Sequence, residues 1–226
     1  VIALVNKKEE RARGVALKVL QEVFENGAYS NIALNKELQA SQLSQADKRL
    51  VTELVYGTVA RKITLEWYLA HEIADRDQLD TWVYYLLLLS LYQILYLDKI
   101  PNHAVVNEAV NLAKRAKGTD KYVNAVLRAF LKKPLPDVAS IKRKNKRLSV
   151  QYSAPVWLVA ILIEEYGQER AEAILASLFV RNKASVRVTD LSKVDEVART
   201  LEAEKSALSP VGLVKASGHF AGSQAF

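Results

Sequence analysis

Positive charge gathered into one stretch is the feature of this chain with the clearest chemical potential. Between Lys114 and Arg147 there are twelve Lys or Arg residues and only two acidic residues, Asp120 and Asp137. The local charge is therefore +10 in a chain whose net charge is +7, so the other residues together carry −3. Such a concentration favours a polyanionic partner, nucleic acid before membrane, because phosphate binding releases counterions.

The candidate nucleic-acid contacts are cations of this stretch together with two arginines near the beginning of the first predicted helix. A helix dipole disfavours cations at that end, which suggests a negative group close to the two arginines. The alternative for all of these side chains is a solvated helix face followed by a basic linker. The candidates are Arg11, Arg13, Lys114, Arg115, Lys117, Lys121, Arg128, Lys142, Arg143, Lys144, Lys146 and Arg147.

Other chemistry is sparse in the sequence. Cysteine is absent, which excludes disulfides, thiolate metal sites and a thiol nucleophile. The three histidines, His71, His103 and His219, lie far apart and lack metal-ligand spacing. Neither a glycine-rich phosphate loop nor a nucleophile elbow occurs. We therefore expect no metal, no cofactor and no catalytic residue in this chain.

The element that organises the rest is the apolar run from Trp82 to Leu97, interrupted only by Ser90 and Gln93. A helix of this length rises about 24 Å, short of the roughly 30 Å of a bilayer core. A helix that is apolar on every side must be surrounded by other elements. We predict that it is the buried centre of an all-α domain and not a membrane span. With no secretion signal at the start, the expected location is the cytoplasm.

Amphipathic patterns predict the helices that surround this centre, so the fold class is mainly α. Ser44 and Asp47 resemble a capping box in front of one long helix through residues 48–73. Asp120 is expected to cap a later helix, and Ser153 another. The predicted helices span residues 8–25, 48–73, 82–97, 102–117, 120–133, 153–167 and 168–179.

The order of these patterns predicts three parts. Residues 1–133 form the helical domain, and residues 134–152 form a basic linker that begins with two prolines. Residues 153–226 contain connecting helices and then a small, partial α/β unit of the RRM-like kind. Its strands are predicted around SVRVT and GLVKA, with a helix between them at Val194–Leu201.

Three stretches resemble a known family in the right order: DKRLVTELVYGTVARKITLEWYL, LSLYQILYLDKIPNHAVVNEAVNLAK and YVNAVLRAF. They are similar to the NusB-like all-α domain, over about residues 8–133. That domain occurs alone, as the antitermination factor NusB, and at the front of certain methyltransferases. The segments SAPVWLVAILIEEYGQERAEAIL and SVRVTDL resemble the connecting region of bacterial 16S ribosomal RNA cytosine-C5 methyltransferases of the Sun/Fmu (RsmB) type.

The resemblance implies an RNA-binding front part that positions ribosomal RNA for methylation. In such enzymes a Rossmann-like domain follows, which binds S-adenosylmethionine and carries a cysteine that attacks the target cytosine. Neither feature is present here, so we expect no methyltransferase activity or S-adenosylmethionine binding from this chain alone. The first residue is Val1 and methionine is absent, so we expect either a fragment or a processed sequence.

Two alternatives remain: a stand-alone NusB-like antitermination factor that binds RNA and a ribosomal protein, and a helical scaffold without nucleic acid. The region after Ser153 argues against the first, and the basic stretch argues against the second. The expected partner is ribosomal RNA, with no membrane and no metal, and we expect a monomer.

Overall fold

The computed structural model describes residues 11–180, 183–215 and 220. These residues confirm the mainly α fold class. In them, eleven α-helices occur: α1 (Ala12–Glu25), α2 (Ser30–Ala40), α3 (Gln45–Ala60), α4 (Lys62–Leu69), α5 (Thr81–Tyr96), α6 (Asn102–Ala113), α7 (Thr119–Lys132), α8 (Lys144–Gln151), α9 (Val156–Tyr166), α10 (Gln168–Ser177) and α11 (Val194–Thr200). The same ranges contain 3-10 helices at Val138–Ser140 and Leu191–Lys193 and the strands β1 (Ala184–Arg187), β2 (Glu204–Lys205) and β3 (Gly212–Lys215).

Helix α5 lies at the centre of the helical bundle, as its apolar sequence predicts. Every residue from position 83 to position 93 is buried, and Leu88 and Leu91 are fully so. Tyr92 is buried as well, and Leu95 is partly buried against the same core. Helices α1, α3, α4, α6 and α7 all pack against α5. The prediction of a buried central helix is confirmed.

The long helix predicted over residues 48–73 is wrong, because the chain breaks at Arg61 into α3 and α4. The backbone N–H of Ile63, in the first turn of α4, donates to Ser153 Oγ at 3.1 Å. Thr64 Oγ1 donates to the carbonyl of Val150 at 2.6 Å. A distant segment therefore satisfies one backbone donor in the first turn of α4 and accepts a side-chain hydrogen bond from the same turn, which local sequence cannot indicate.

Ser153 was predicted to cap the helix that follows it, and this is also wrong. The residue before α9 is Pro155, and the Ser153 side chain caps α4 instead. Ser153 has a φ of +49°, a conformation that non-glycine residues rarely adopt. The hydrogen bond to α4 holds it there.

The remaining helix ends follow the predictions in part. Ser44 Oγ accepts from the backbone N–H of Asp47 at 3.1 Å, which confirms that cap. Asp120 is not a cap, because it lies in the first turn of α7. The residue at the N-cap is Gly118, whose φ of +82° favours glycine. Helix α6 ends at Ala113, earlier than predicted. The first residues of the predicted helix 8–25 and His219 lie outside the described residues.

The predicted basic linker at 134–152 contains a helix, so it is not an open connection throughout. Helix α8 packs against α4 and α9 because Leu148 and Val150 are buried. Leu148 belongs to a small core with Ala154, Val159 and Leu175. The sequence did not indicate this helix, because α8 is short and charged and its buried residues are confined to its last turn. The domain boundaries at 133 and 152 stay predictions.

Residues Ala176–Phe226 form a second compact unit. Its three described strands form an antiparallel sheet in the order β1-β3-β2, with Val186 opposite Leu213. Leu213, Val188 and Val194 are in its apolar core. Strand β1, α11 and β3 match the predicted strand–helix–strand pattern. Strand β2 was not predicted, because its two residues, Glu204 and Lys205, are both charged.

Candidate nucleic-acid interface

The twelve predicted contact residues lie on three surfaces of the unit formed by residues 1–175. The first is the beginning of α1, the second is the α6–α7 connection with α7, and the third is the beginning of α8. We call them the α1 pair (Arg11 and Arg13), the α6–α7 group (Lys114, Arg115, Lys117, Lys121 and Arg128) and the α8 group (Lys142, Arg143, Lys144, Lys146 and Arg147).

The α1 pair has partners within the protein. Arg11 Nη1 lies 2.8 Å from Glu108 Oε1 on α6, which is the negative neighbour that the helix dipole suggested. Arg13 Nε donates to Gln93 Oε1 on α5 at 2.7 Å. Burial lowers the pKa of Arg13 against the opposing effect of Glu108, yet a guanidinium stays charged at neutral pH. These arginines therefore fasten α1 to α5 and α6.

The α6–α7 group is partly engaged as well. The Arg115 guanidinium stacks on Trp82, with 3.8 Å from Cζ to the ring centroid. Lys114 Nζ donates to Asn111, and Arg128 Nε donates to Asn124, each within its own neighbourhood. Lys117 and Lys121 are exposed and have no hydrogen-bond or ion-pair partner for their side chains among the described residues.

Acidic groups lie close to one end of the α6–α7 group. Lys117 lines a cavity of about 750 Å³ whose lining also includes Glu72, Asp75 and Asp80. Glu72 already forms an ion pair with Lys133, at 2.9 Å. The negative side chains reduce the attraction that this surface offers to a phosphate.

The α8 group is the densest of the three. Its five cations occupy six consecutive positions that lead into and form the first turn of α8. Lys144 Nζ donates to Gln168 Oε1 on α10. The other four side chains, those of Lys142, Arg143, Lys146 and Arg147, have no hydrogen-bond or ion-pair partner in the described part of the chain.

The electrostatics at the beginning of α8 favour an anion. The first turn contains no acidic residue, and the side chain of Arg143 at the N-cap makes no capping hydrogen bond. The first N–H groups of the helix and its dipole add positive potential to the cations around them. A phosphate would relieve this repulsion and satisfy open donors, as anions do at helix N-termini.

The described residues contain no group of three or more His, Asp or Glu side chains placed to hold a metal ion. Among them no helix is both long enough and apolar enough to cross a membrane. His103 is exposed in the first turn of α6, and His71 Nδ1 lies 2.8 Å from the carbonyl of Trp67.

Sequence analysis missed one surface with binding potential, a cleft beside α3. Its lining includes Lys48, Arg49 and Tyr56, which lie outside the basic stretch. The signal was available as a polar and aromatic stripe at positions 45, 49, 52 and 56, which share one face of a helix. The charge distribution along the sequence does not indicate this surface, because the acidic residues Asp47 and Glu53 lie close to its two cations.

The comparisons with known proteins agree with this fold. Residues 10–132 match the NusB family. Over 227 residues the chain is 36% identical to the probable ribosomal RNA small subunit methyltransferase B of Bacillus subtilis, covering 97% of this chain and 51% of that relative. It is 33% identical to the protein of the same name from Synechocystis, over 84% of this chain and 44% of the relative. The chain thus spans about half the length of these relatives.

Two solved structures share the fold. The crystal structure of PH0851 has a TM-score of 0.65 at 19% identity and covers 97% of this chain and 52% of its own. The NusB and NusE antitermination factors in complex with double-stranded RNA give a TM-score of 0.50 at 21% identity, over 54% of this chain and 93% of the compared chain. A family match over more than half of the chain shows that this protein belongs to the NusB family.

Proposed function

We propose that this chain is the ribosomal RNA-binding part of a small-subunit ribosomal RNA methyltransferase and positions the RNA for methylation. The observation that carries the proposal is the α8 group, four of whose cations have no partner among the described residues. The names of the relatives supply the substrate class, and the fold is shared with a solved structure of the antitermination factors NusB and NusE in complex with double-stranded RNA.

Binding at this surface would rest mainly on phosphates. Flexible Lys and Arg side chains and helix N–H groups contact the backbone of RNA and fix its position, while its shape supplies selectivity. Lys117 and Lys121 offer further contacts. The α1 pair and Arg115 would contribute less, because their guanidinium groups already contact other side chains of the bundle.

The methyl transfer itself would belong to the part of the relatives that this chain does not span. The residues present do not fit S-adenosylmethionine, since the sequence contains no G-x-G loop, and it contains no cysteine to attack a cytosine. Titration of the chain with S-adenosylmethionine in a calorimeter should therefore give no stoichiometric heat. Tight, stoichiometric binding would contradict the proposal that S-adenosylmethionine is bound by the part of the relatives that this chain does not span.

A stand-alone antitermination factor is the weaker candidate. Helices α8 and α9 continue the fold past the NusB-like bundle, and Thr64 and Ser153 join them to α4 through buried or half-buried hydrogen bonds. The similarity to the methyltransferase relatives extends through this region as well. Both observations favour the methyltransferase context.

Salt-dependent RNA binding tests the proposal. We would measure filter binding of a small-subunit ribosomal RNA transcript at several salt concentrations for the variant Lys142→Ala/Arg143→Ala/Lys146→Ala. The slope of log K against log salt is negative, and each lost phosphate contact makes it flatter by about 0.7–0.9. The triple variant should therefore bind more weakly, with a slope flatter by about two.

The matched control removes equal charge elsewhere, through Lys99→Ala/Arg187→Ala/Lys193→Ala. All three of these side chains are exposed and lie outside the three basic surfaces. The control should bind like the parent chain. An unchanged slope in the α8 triple variant, or an equal loss in the control, would contradict a specific role for the α8 group.

A further inference from the structure

The cleft beside α3 is a second surface suited to RNA, and of a different kind from the three basic groups. It has a volume of about 450 Å³, and its lining includes Lys48, Arg49, Glu53, Tyr56 and Gly57. We propose that it binds a single-stranded segment of RNA, with a base stacked on Tyr56 and neighbouring phosphates at Lys48 and Arg49. This inference rests on the proposed function and deepens it.

The aromatic ring is available for stacking. Tyr56 is 43% exposed although it lies within a 16-residue helix. In the described part of the chain its ring makes no aromatic or cation–π contact and its hydroxyl has no hydrogen-bond partner. An exposed ring in a concave surface is a platform on which any base can stack, since every base has a π-face.

The cations lie along the same helix at a useful separation. Arg49 is seven residues before Tyr56, about 10 Å along the helix axis, and Lys48 lies one residue further. An extended strand that follows α3 can therefore place one base on the ring and the adjoining backbone at the cations. Neither cation has an ion-pair partner for its side chain among the described residues.

One end of the cleft is closely packed at Gly57. A side chain on Gly57 would collide with Tyr92, since a Cβ there would lie 1.9 Å from the ring atom Cζ. The absence of that side chain allows the Tyr92 hydroxyl to reach Glu53 and donate to Oε1 at 2.7 Å. This contact holds Glu53 toward α5, while Lys48 and Arg49 give the cleft a net positive charge.

Fluorescence anisotropy with a labelled ten-nucleotide RNA tests the site. The RNA is supplied as a single strand or annealed to its complement. Loss of one stacking contact corresponds to about 1–3 kcal/mol, so Tyr56→Ala should weaken single-strand binding by about 5- to 150-fold. Tyr56→Phe retains the ring and should bind like the parent chain. Duplex binding, whose bases are already stacked, should hardly change in either variant.

Tyr29→Ala is the matched control, because Tyr29 is also an exposed tyrosine, 77% accessible, but lies before α2 outside the cleft. Lys48→Ala/Arg49→Ala should weaken binding of the single-stranded RNA and make that binding less dependent on salt. If the parent binds RNA and Tyr56→Ala binds the single strand equally well, the cleft proposal is wrong and the proposed function survives. If the parent binds neither form nor the ribosomal transcript, both proposals are wrong. Thermal unfolding followed by circular dichroism checks that each variant is folded.

Discussion

Helices α5 and α9 have almost equally apolar sequences but very different surroundings. Helix α5 is contacted by five other helices, and eleven of its sixteen residues are buried. Helix α9, with the sequence VWLVAILIEEY, has only Val159 buried among its eleven residues. Trp157 and Ile161 on α9 are 64% and 47% exposed.

The difference shows that burial depends on how many neighbours an apolar helix acquires. Helix α5 has packing partners on every side, whereas α9 packs on α8 through Leu148 and Val159 and leaves much of its surface accessible. Removing apolar area from water supplies roughly 25 cal/mol per Å². Equivalent residues on the two helices should therefore contribute very unequally to folding, and substitutions can measure this.

The largest effect is expected from truncation in α5. Leu91 is fully buried, so Leu91→Ala should lower the free energy of unfolding by about 2–5 kcal/mol, through lost transfer energy and the cavity left behind. Ile161→Ala on α9 is the matched truncation of an exposed residue and should cost no more than about 1 kcal/mol. Urea unfolding measures both, and equal losses would contradict the comparison.

The next effect concerns the close approach of α3 to α5. Gly57→Ala places a methyl group against the Tyr92 ring, which is held by its hydrogen bond to Glu53. We expect a loss of about 1–3 kcal/mol from overpacking. Gly14→Ala is the control, since its Cβ would lie 3.6 Å from Leu112 Cδ2, an ordinary contact. That change should be neutral or stabilising by up to about 1 kcal/mol, because alanine favours the helix. The reverse order in urea unfolding would refute the close-packing argument.

A smaller effect is expected where the α8–α9 region joins the bundle. Thr64→Val keeps the shape of the buried side chain but removes its hydrogen bond to the carbonyl of Val150. The loss should be about 1 kcal/mol or somewhat more, since that carbonyl loses a partner. Thr52→Val removes a similar bond within α3, to the carbonyl of Lys48, and should change stability by only about 0.5 kcal/mol. Equal effects would show that the junction contributes no more than a local helix bond.

The last expected effect concerns Tyr84 on α5. It changes the free energy of unfolding only under alkaline conditions and leaves it unchanged at neutral pH. Burial, assisted by the nearby Glu66 carboxylate, raises the pKa of Tyr84 from 10.0 to about 12. The folded state holds the Tyr84 proton more tightly than the unfolded state. The contribution of this group to the free energy of unfolding is therefore complete below pH 10 and is lost as the pH rises toward 12. Unfolding free energies measured over that interval should fall, and Tyr84→Phe should make the fall shallower. An identical fall in the variant would contradict the assignment.

Local patterns in the sequence were sufficient for much of the fold. The apolar run of α5 predicted a buried helix, because it is longer than an ordinary strand and only burial removes so many apolar side chains from water. The Ser44–Asp47 cap was predictable, since it depends on residues three positions apart. The α8 cations were also visible in the sequence, and their RNA-binding role remains a prediction. These features share one property, which is that their physical cause lies within a few residues.

Tertiary structure decided the features whose cause lies far away in the chain. At the break between α3 and α4, the N–H of Ile63 donates to Ser153, which lies ninety residues further along the chain. Arg11 contacts Glu108 across a similar separation, so sequence could place the cation but not its partner. The exposure of α9 and the cleft at Tyr56 depend on which neighbours are present and which are absent. The local order of residues determined that this chain folds into helices and carries a cluster of cations, whereas long-range contacts determined where α4 begins, which cations remain available and which apolar faces stay open.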